Sequence, residues 1–385
     1  MNTNLTEQPR PYTHSQLKRL GRVKATRRPS TNATVTMSTV VSSPGKKPRL
    51  QTRVIPVEHK GRTKRGVKAY RIETTIVGDV LHGRSLPEAG PAIRLKSAKA
   101  AARNAKDDET PLRSYRPEYL DLTYLPATFP RPKTRAPRKK PKYPPLRGLN
   151  LYQPDRRQLL TDLSYPWSTV GRVETNSSTA TGVLIGPRHV LSCSHDLPWD
   201  LYNSGQGWFK FTPAFSNGNA PFGWAWATDL YFYREVGHAD GELEVSEDYV
   251  VAALTERLGD TLGYMGARVY SNDWDDHPYW INIGYGAQEG LFSGSEPHIQ
   301  DQVSFEDADN PGLFGQEGDG LYMDTESASL THGDSGGPFF AFWDDGPYVV
   351  GVVSAQGTIS FDDDNWAGGG RPMVRTVRSA RAQSP

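Results

Sequence analysis

The sequence predicts an all-β architecture over residues 149–385, preceded by a basic and mostly irregular N-terminal segment. Three observations carry this reading. Short apolar runs separated by Gly, Pro, Asn and Asp dominate the C-terminal part, with no long run of helical period. That part, about 235 residues long, suffices for one substantial β core. The charge also divides near the same boundary. The 385 residues hold 45 Lys+Arg and 43 Asp+Glu, a net of +2. Residues 1–150 hold 33 basic and 10 acidic residues, which leaves 12 and 33 for the rest. The near-neutral total thus conceals a segment of +23 joined to one of −21.

Residues 1–50 are polar, basic and poor in large apolar side chains, and read as a disordered tail. Residues 51–130 read as a small pro-domain, with an alternating strand pattern over 67–81 and a helical propensity over 92–106. Residues 131–148 are rich in Pro, Lys and Arg and read as an exposed, extended linker open to cleavage. Opposite net charges favour docking of the basic segment onto the acidic domain as an intramolecular partner. The basic clusters at 43–50 and 131–142 raise nucleic acid as a rival partner, but no aromatic-basic interleaving or zinc spacing supports it. No apolar run is long enough for a membrane span. Cys193 is the single cysteine, so no intrachain disulfide forms, and it reads as a small buried hydrophobe.

The chemistry concentrates at Thr331–Pro338, where Ser335 lies among glycines after Asp334. A serine hydroxyl becomes a nucleophile only when a base takes its proton, and the reaction needs N–H groups aimed at the developing oxyanion. A glycine-rich hairpin turn would use the same glycines without the acid. Upstream, Thr181–His195 reads as strand, Gly-Pro turn, strand and then His195, and Asp248 enters the apolar run Tyr249–Leu254. A carboxylate there can hold the imidazole in one tautomer. His189 follows Arg188 at the turn and reads as exposed. His332, Asp229 and Asp240 compete less well, because Asp229 lacks a matching apolar run and Asp240 lies in a Gly-flanked turn.

The order His195, Asp248, Ser335 and these local motifs resemble the chymotrypsin-fold serine proteases, and more closely their bacterial glutamyl endopeptidase-like branch. Asp155–Gln158, Thr161-Asp162 and Tyr165-Pro166 resemble the start of its mature domain, Gly259–Gly266 its loop after the aspartate strand, and Ile281–Gly286 its Gly-Tyr strand. The resemblance implies two six-stranded antiparallel β-barrels with the active site in the cleft between them. It implies a Ser335–His195–Asp248 triad with an oxyanion hole from the N–H groups of Gly333 and Ser335. Asp334 is implied to turn inward onto a buried positive group, such as an amino terminus newly cut near Arg147–Leu149. Ser329, Leu330, Val353, Ser354, Ala355 and Gln356 are implied to bind substrate. The branch usually has histidine at the position of Val353 and a small hydroxyl residue at that of Leu330. Trypsin-like enzymes have an acid at that of Ser329. An apolar or small P1 side chain is therefore expected over Glu, Lys or Arg.

The expectation is a monomeric serine endopeptidase made as a zymogen, acting on polypeptide, without cofactor or metal. An acidic run at 361–366 reads as a solvated loop. An esterase using the same triad, and a binding protein with a degenerate protease fold and a nucleic-acid arm, are the alternatives. Localisation stays open: the resemblance points to secretion, whereas the first ten residues have no apolar signal-peptide run.

Overall fold

The computed structural model describes residues 8–26, 49–57, 69–77, 90–99, 110–129, 151–152, 155–237, 239, 241–288, 292–311, 320–356 and 364–385. The chain forms two compact units, Thr31–Ala89 and the remainder. Within Thr31–Ala89, Arg49–Val57 and Ala69–Val77 form an antiparallel hairpin, with Arg49 opposite Val77. The linker over 131–148, with Arg147, lies outside the described residues, as do Leu149 and the acidic residues 361–363.

The larger unit begins its β structure with a closed barrel. Its strands run in the order Phe209–Pro213, Val170–Thr175, Thr179–Gly186, His189–Ser192, Val250–Leu254, Ala225–Phe232. Closure comes from pairing of the first strand with the last, Phe211 opposite Ala225. Apolar side chains of these strands meet a packed surface, most completely in the central ones. Val183, Leu184 and Ile185 all have 0% exposure, as does every residue from Val250 to Leu254.

The second sheet has ten strands, more than the six expected. Its hydrogen-bonded path is Asp307–Asp309, Gly320–Thr325, Asn365–Gly370, Gly346–Gln356, Pro338–Trp343, Trp280–Gly284, His298–Val303, Gln158–Leu160, Thr128–Phe129. Gly266–Ala267 adds in parallel to Gly346–Gln356. Trp274, Trp280, Phe305, Phe339 and Trp343 pack its aromatic core. A further core joins the two sheets: Val183, Leu191 and Val251 of the barrel pack with Ile281, Ile283 and Phe340 of the second sheet. That shared core fixes the adjoining strand ends, from which the site is built.

Three sequence expectations give way here. Residues 92–106 do not open as a helix: Arg94–Ser97 is a seventh barrel strand, parallel to Ala225–Phe232. Its propensity is overridden because the neighbouring strand offers unpaired N–H and C=O groups and Ile93 packs into the barrel core. The tail is ordered where it is described. His14–Leu20 is a helix with a Thr13/Gln16 capping box, and Leu17, 3% exposed, enters the shared core. Finally, Arg371–Gln383 is a helix of 13 residues, although no long helical period was expected. Its Met373, Val374, Val377 and Ala380 lie on one face and are buried in the shared core.

Candidate active site

Two neighbouring strands deliver the base and the acid. His189–Ser192 and Val250–Leu254 are antiparallel, with Ser192 opposite Val250, so His195 follows one strand and Asp248 precedes the other at the same barrel end. Ser335 sits in the turn before Pro338–Trp343 of the second sheet, and its carbonyl accepts from Thr181 N–H of the barrel at 2.8 Å. The three side chains meet. His195 Nδ1 lies 2.6 Å from Asp248 Oδ2, and His195 Nε2 lies 3.0 Å from Ser335 Oγ.

Asp248 is fully buried and richly solvated by protein. Its Oδ1 accepts from the backbone N–H of Ser194 and of His195 at 2.8 and 2.9 Å, and its Oδ2 also accepts from Ser354 Oγ at 2.6 Å. Burial works against its charge, but His195 and these donors outweigh it and hold the carboxyl below its usual range. For His195, burial disfavours the cation. The charge and hydrogen bond of Asp248, with Asp196 adding, overcome this and push the imidazole up to about 9. Asp196 Oδ2 stands 3.6 Å from His195 Nε2.

The two N–H groups expected to hold an oxyanion belong to peptides fixed by their carbonyls. His332 C=O accepts from Ala287 N–H at 2.8 Å, and Asp334 C=O from Gly337 N–H at 2.7 Å. In a trans peptide the N–H points opposite to the C=O, so the N–H groups of Gly333 and Ser335 are set by these bonds. Gly333 has φ of +99°, a conformation open to glycine. Its own carbonyl accepts from Thr181 Oγ1 at 2.7 Å, and that hydroxyl in turn accepts from Tyr285 N–H at 2.9 Å. Thr181 thus ties the serine turn to Tyr285, a contact that motif reading passed over. Its signal was only a hydroxyl in the first half of a mostly apolar strand.

Asp334 does turn inward, and it has 0% exposure. Its Oδ1 lies 2.9 Å from His298 Nε2 and accepts from Gly286 N–H at 2.8 Å, while Oδ2 accepts from Thr331 N–H at 2.8 Å. Burial opposes its charge, and His298 followed by Arg157 reverses the balance, so its carboxyl is held below the usual range. The groups that face Asp334 here are therefore side chains, His298 of the second sheet and Arg157 just before it. Arg157 is 1% exposed, and its Nε and one terminal nitrogen donate to Asp155 at 3.1 and 2.9 Å. The Gly284-Tyr285-Gly286 pattern has a local cause: a Cβ on Gly284 would lie 2.0 Å from Asp334 Oδ1, and one on Gly286 2.4 Å from Oδ2.

The residues expected to bind substrate lie around the same turn. Ser329, Leu330, Val353 and Ser354 are buried. Ser329 Oγ accepts from Tyr152 N–H at 3.1 Å, so the chain just after the linker runs beside it. Val353 is tied to the serine turn, accepting from Gly336 N–H at 2.8 Å and donating to Gly337 C=O at 2.9 Å. Ser354 turns its hydroxyl to Asp248, a role that the sequence did not disclose. Ala355 and Gln356 continue the strand opposite Trp366 and Asn365.

Of the competing histidines, His332 is exposed. His189, expected at the surface, is instead fully buried. Its Nε2 lies 3.0 Å from Ala380 C=O, and burial with nearby Arg381 pushes its pKa down to about 4. The helix Arg371–Gln383 covers it, which turn-based reading could not foresee. Asp229 lies in the barrel and pairs with Arg94, and Asp240 falls outside the described residues. Cys193, His195 and Asp196 are the group among the described residues with metal-ligand atoms within 4.8 Å of one another. The Cys193 thiol there is buried, pushed up by that burial, and donates to Asp196 Oδ2 at 3.5 Å.

No protein-family profile matches the chain. A glutamyl endopeptidase of Bacillus licheniformis is 28% identical over 116 residues, which is 29% of this chain and 34% of that protein. The chain thus spans about a third of the length of this curated relative. A solved Glu endopeptidase in complex with MPD superimposes with a TM-score of 0.47 at 19% identity, over 60% of this chain and all of that one. A thermostable serine protease, AL20, from an extremophilic microorganism gives 0.43 at 20% identity over 56% of this chain and 98% of its own. Protease Anisep from Arthrobacter nicotinovorans gives 0.41 at 20% identity over 58% and 99%.

Proposed function

We propose that this chain is a serine endopeptidase that cleaves polypeptides through an acyl-enzyme. The observation that carries the reading is the continuous chain Asp248–His195–Ser335, at 2.6 and 3.0 Å, beside the two fixed N–H groups. The curated relative, a glutamyl endopeptidase, supports it from sequence. His195 Nε2 takes the Ser335 proton as Oγ attacks the scissile carbonyl carbon. Asp248 keeps the imidazole oriented and stabilises its cation. The carbonyl oxygen, now negative, receives Gly333 N–H and Ser335 N–H, each worth roughly 2.7–4 kcal/mol to the transition state. The His195 proton then passes to the leaving amine, and water repeats the sequence on the acyl-enzyme.

For P1, the reading favours an apolar or small side chain. Leu330 and Val353 are aliphatic where the branch has a small hydroxyl residue and a histidine, and the Ser329 hydroxyl is engaged by the Tyr152 backbone. The nearby Arg157 guanidinium and His298 imidazole are engaged by Asp155 and Asp334, which leaves a glutamate side chain poorly matched. A zymogen step belongs to the same reading, with its cut near Arg147–Leu149. Amino-terminal sequencing of the mature enzyme is expected to find a chain that starts near residue 150, and its absence overturns that step.

A fluorophosphonate probe tests the central claim. It should label the wild-type chain on Ser335, and Ser335→Ala should remove both labelling and peptide hydrolysis. Labelling without hydrolysis of any member of a P1-varied peptide library would favour an esterase. An unlabelled, folded wild-type chain would favour a binding protein.

A further inference from the structure

We propose that residues 8–26, 90–99 and 110–129 are a permanent structural part of the catalytic unit, held to it by noncovalent contacts. A cut in 131–148 would then yield a two-chain protein and release nothing. The division of the chain by contacts already groups these residues with the two sheets.

Three independent joints support this. In the first, Arg94–Ser97 is a strand of the barrel, in register with Asp229–Phe232. The Asp229 side chain is only 2% exposed, and its cations come from that strand: Arg94 through two bonds of 2.9 and 2.8 Å, and Lys96 at 3.0 Å. Removing the strand would leave a buried carboxylate beside an open sheet edge. In the second joint, Leu112 and Ala267 exchange two backbone bonds of 2.8 and 2.9 Å, and Tyr115 and Tyr264 exchange two of 2.9 Å. The buried Trp167 indole donates to Thr123 C=O at 2.8 Å. The third joint lies on the second sheet, where Tyr12 N–H donates to Phe342 C=O and Trp343 Nε1 to Pro9 C=O, both at 2.8 Å. Leu17 enters the core shared by both sheets.

A removable inhibitor would be expected to fill the cleft instead. Among the described residues, none of these three segments hydrogen-bonds to His195, Asp248, Gly333 or Ser335. The segment is built into the walls of the molecule, not laid across its opening.

The test uses the full chain carrying Ser335→Ala, so that self-digestion plays no part and the outcome is independent of the protease reading. A site for a sequence-specific protease is placed within 131–148 and cut to completion, as judged on a denaturing gel. Size-exclusion chromatography at about 0.15 M and about 1 M salt should then give one peak at the uncut position, containing both pieces. Separation at either salt concentration overturns the proposal, whether or not the larger piece stays folded. In the Arg94→Ala, Lys96→Ala double variant the cut pieces should part at a lower urea concentration; an unchanged midpoint would remove that strand from the account.

Discussion

Both carboxylate oxygens of Asp248 are occupied and its carboxyl is held below the usual range, so His195 is the member of the pair that titrates on the alkaline side. With its imidazole held up to about 9, the base is protonated below that pH and cannot take the serine proton. The rate constant kcat/KM is therefore expected to climb with pH and level off above about 9. Asp196→Asn, which removes a carboxylate 3.6 Å from Nε2, should move the midpoint to lower pH. An unmoved midpoint would count against the contact. The stability effect has the opposite slope. A folded-state value above the ordinary 6.5 stabilises the fold below pH 6.5, and this stabilisation is lost as pH rises through about 9. His195→Gln should flatten that part of the Tm–pH curve. Thr181 makes a second residue-scale case. Thr181→Val loses the donor to Gly333 C=O and leaves Tyr285 N–H without its acceptor, at a cost of about 1–3 kcal/mol. We expect kcat to fall roughly tenfold or more with KM little changed, because Gly333, whose carbonyl Thr181 holds, carries one of the two proposed oxyanion N–H groups, and these act chiefly in the transition state; a change confined to KM would refute this role.

Elements explain how distant residues come to stand together. The apolar runs around His189–Ser192 and Val250–Leu254 were legible as strands, because each is short, apolar and bounded by turn residues. That they are neighbours, with Ser192 opposite Val250, places His195 and Asp248 at one end of the barrel. The C-terminal helix left a trace that went unread: Pro372 near its start, then Met373, Val374, Val377 and Ala380 at helical spacing. It bridges the sheets without reaching the triad, and Met373 has 0% exposure. Met373→Ala should therefore lower stability by about 2–5 kcal/mol in urea unfolding. It should leave kcat/KM within a few-fold of the wild type, and a large loss of activity in a stable variant would give the helix a different role. The strand Arg94–Ser97 shows the converse. Its composition favours helix, and only the free edge of Ala225–Phe232 makes it a strand.

At the scale of the whole molecule, the opposite charges of the two halves suggested a long-range electrostatic embrace. The contacts found are mostly strand pairing, buried apolar groups and indole hydrogen bonds, with the Asp229 cluster as a focused ionic joint. The carboxyl of Asp229 is held below its ordinary 3.8: burial works against its charge, but Arg94 and Lys96 outweigh it. Its contribution is thus present above about that pH and fades as pH falls further. By itself the sequence determined the β character of the C-terminal part and which histidine, acid and serine meet. Those signals are short-range, written in spacing, turn residues and the chemistry of single side chains. Only the tertiary structure decided that His298 and Arg157 face Asp334, that His189 is buried, and that the N-terminal strands add to the edges of the barrel and of the second sheet. Each of these depends on which surfaces are left to be covered once the chain has packed, and such partners lie too far apart along the sequence for any local pattern to encode.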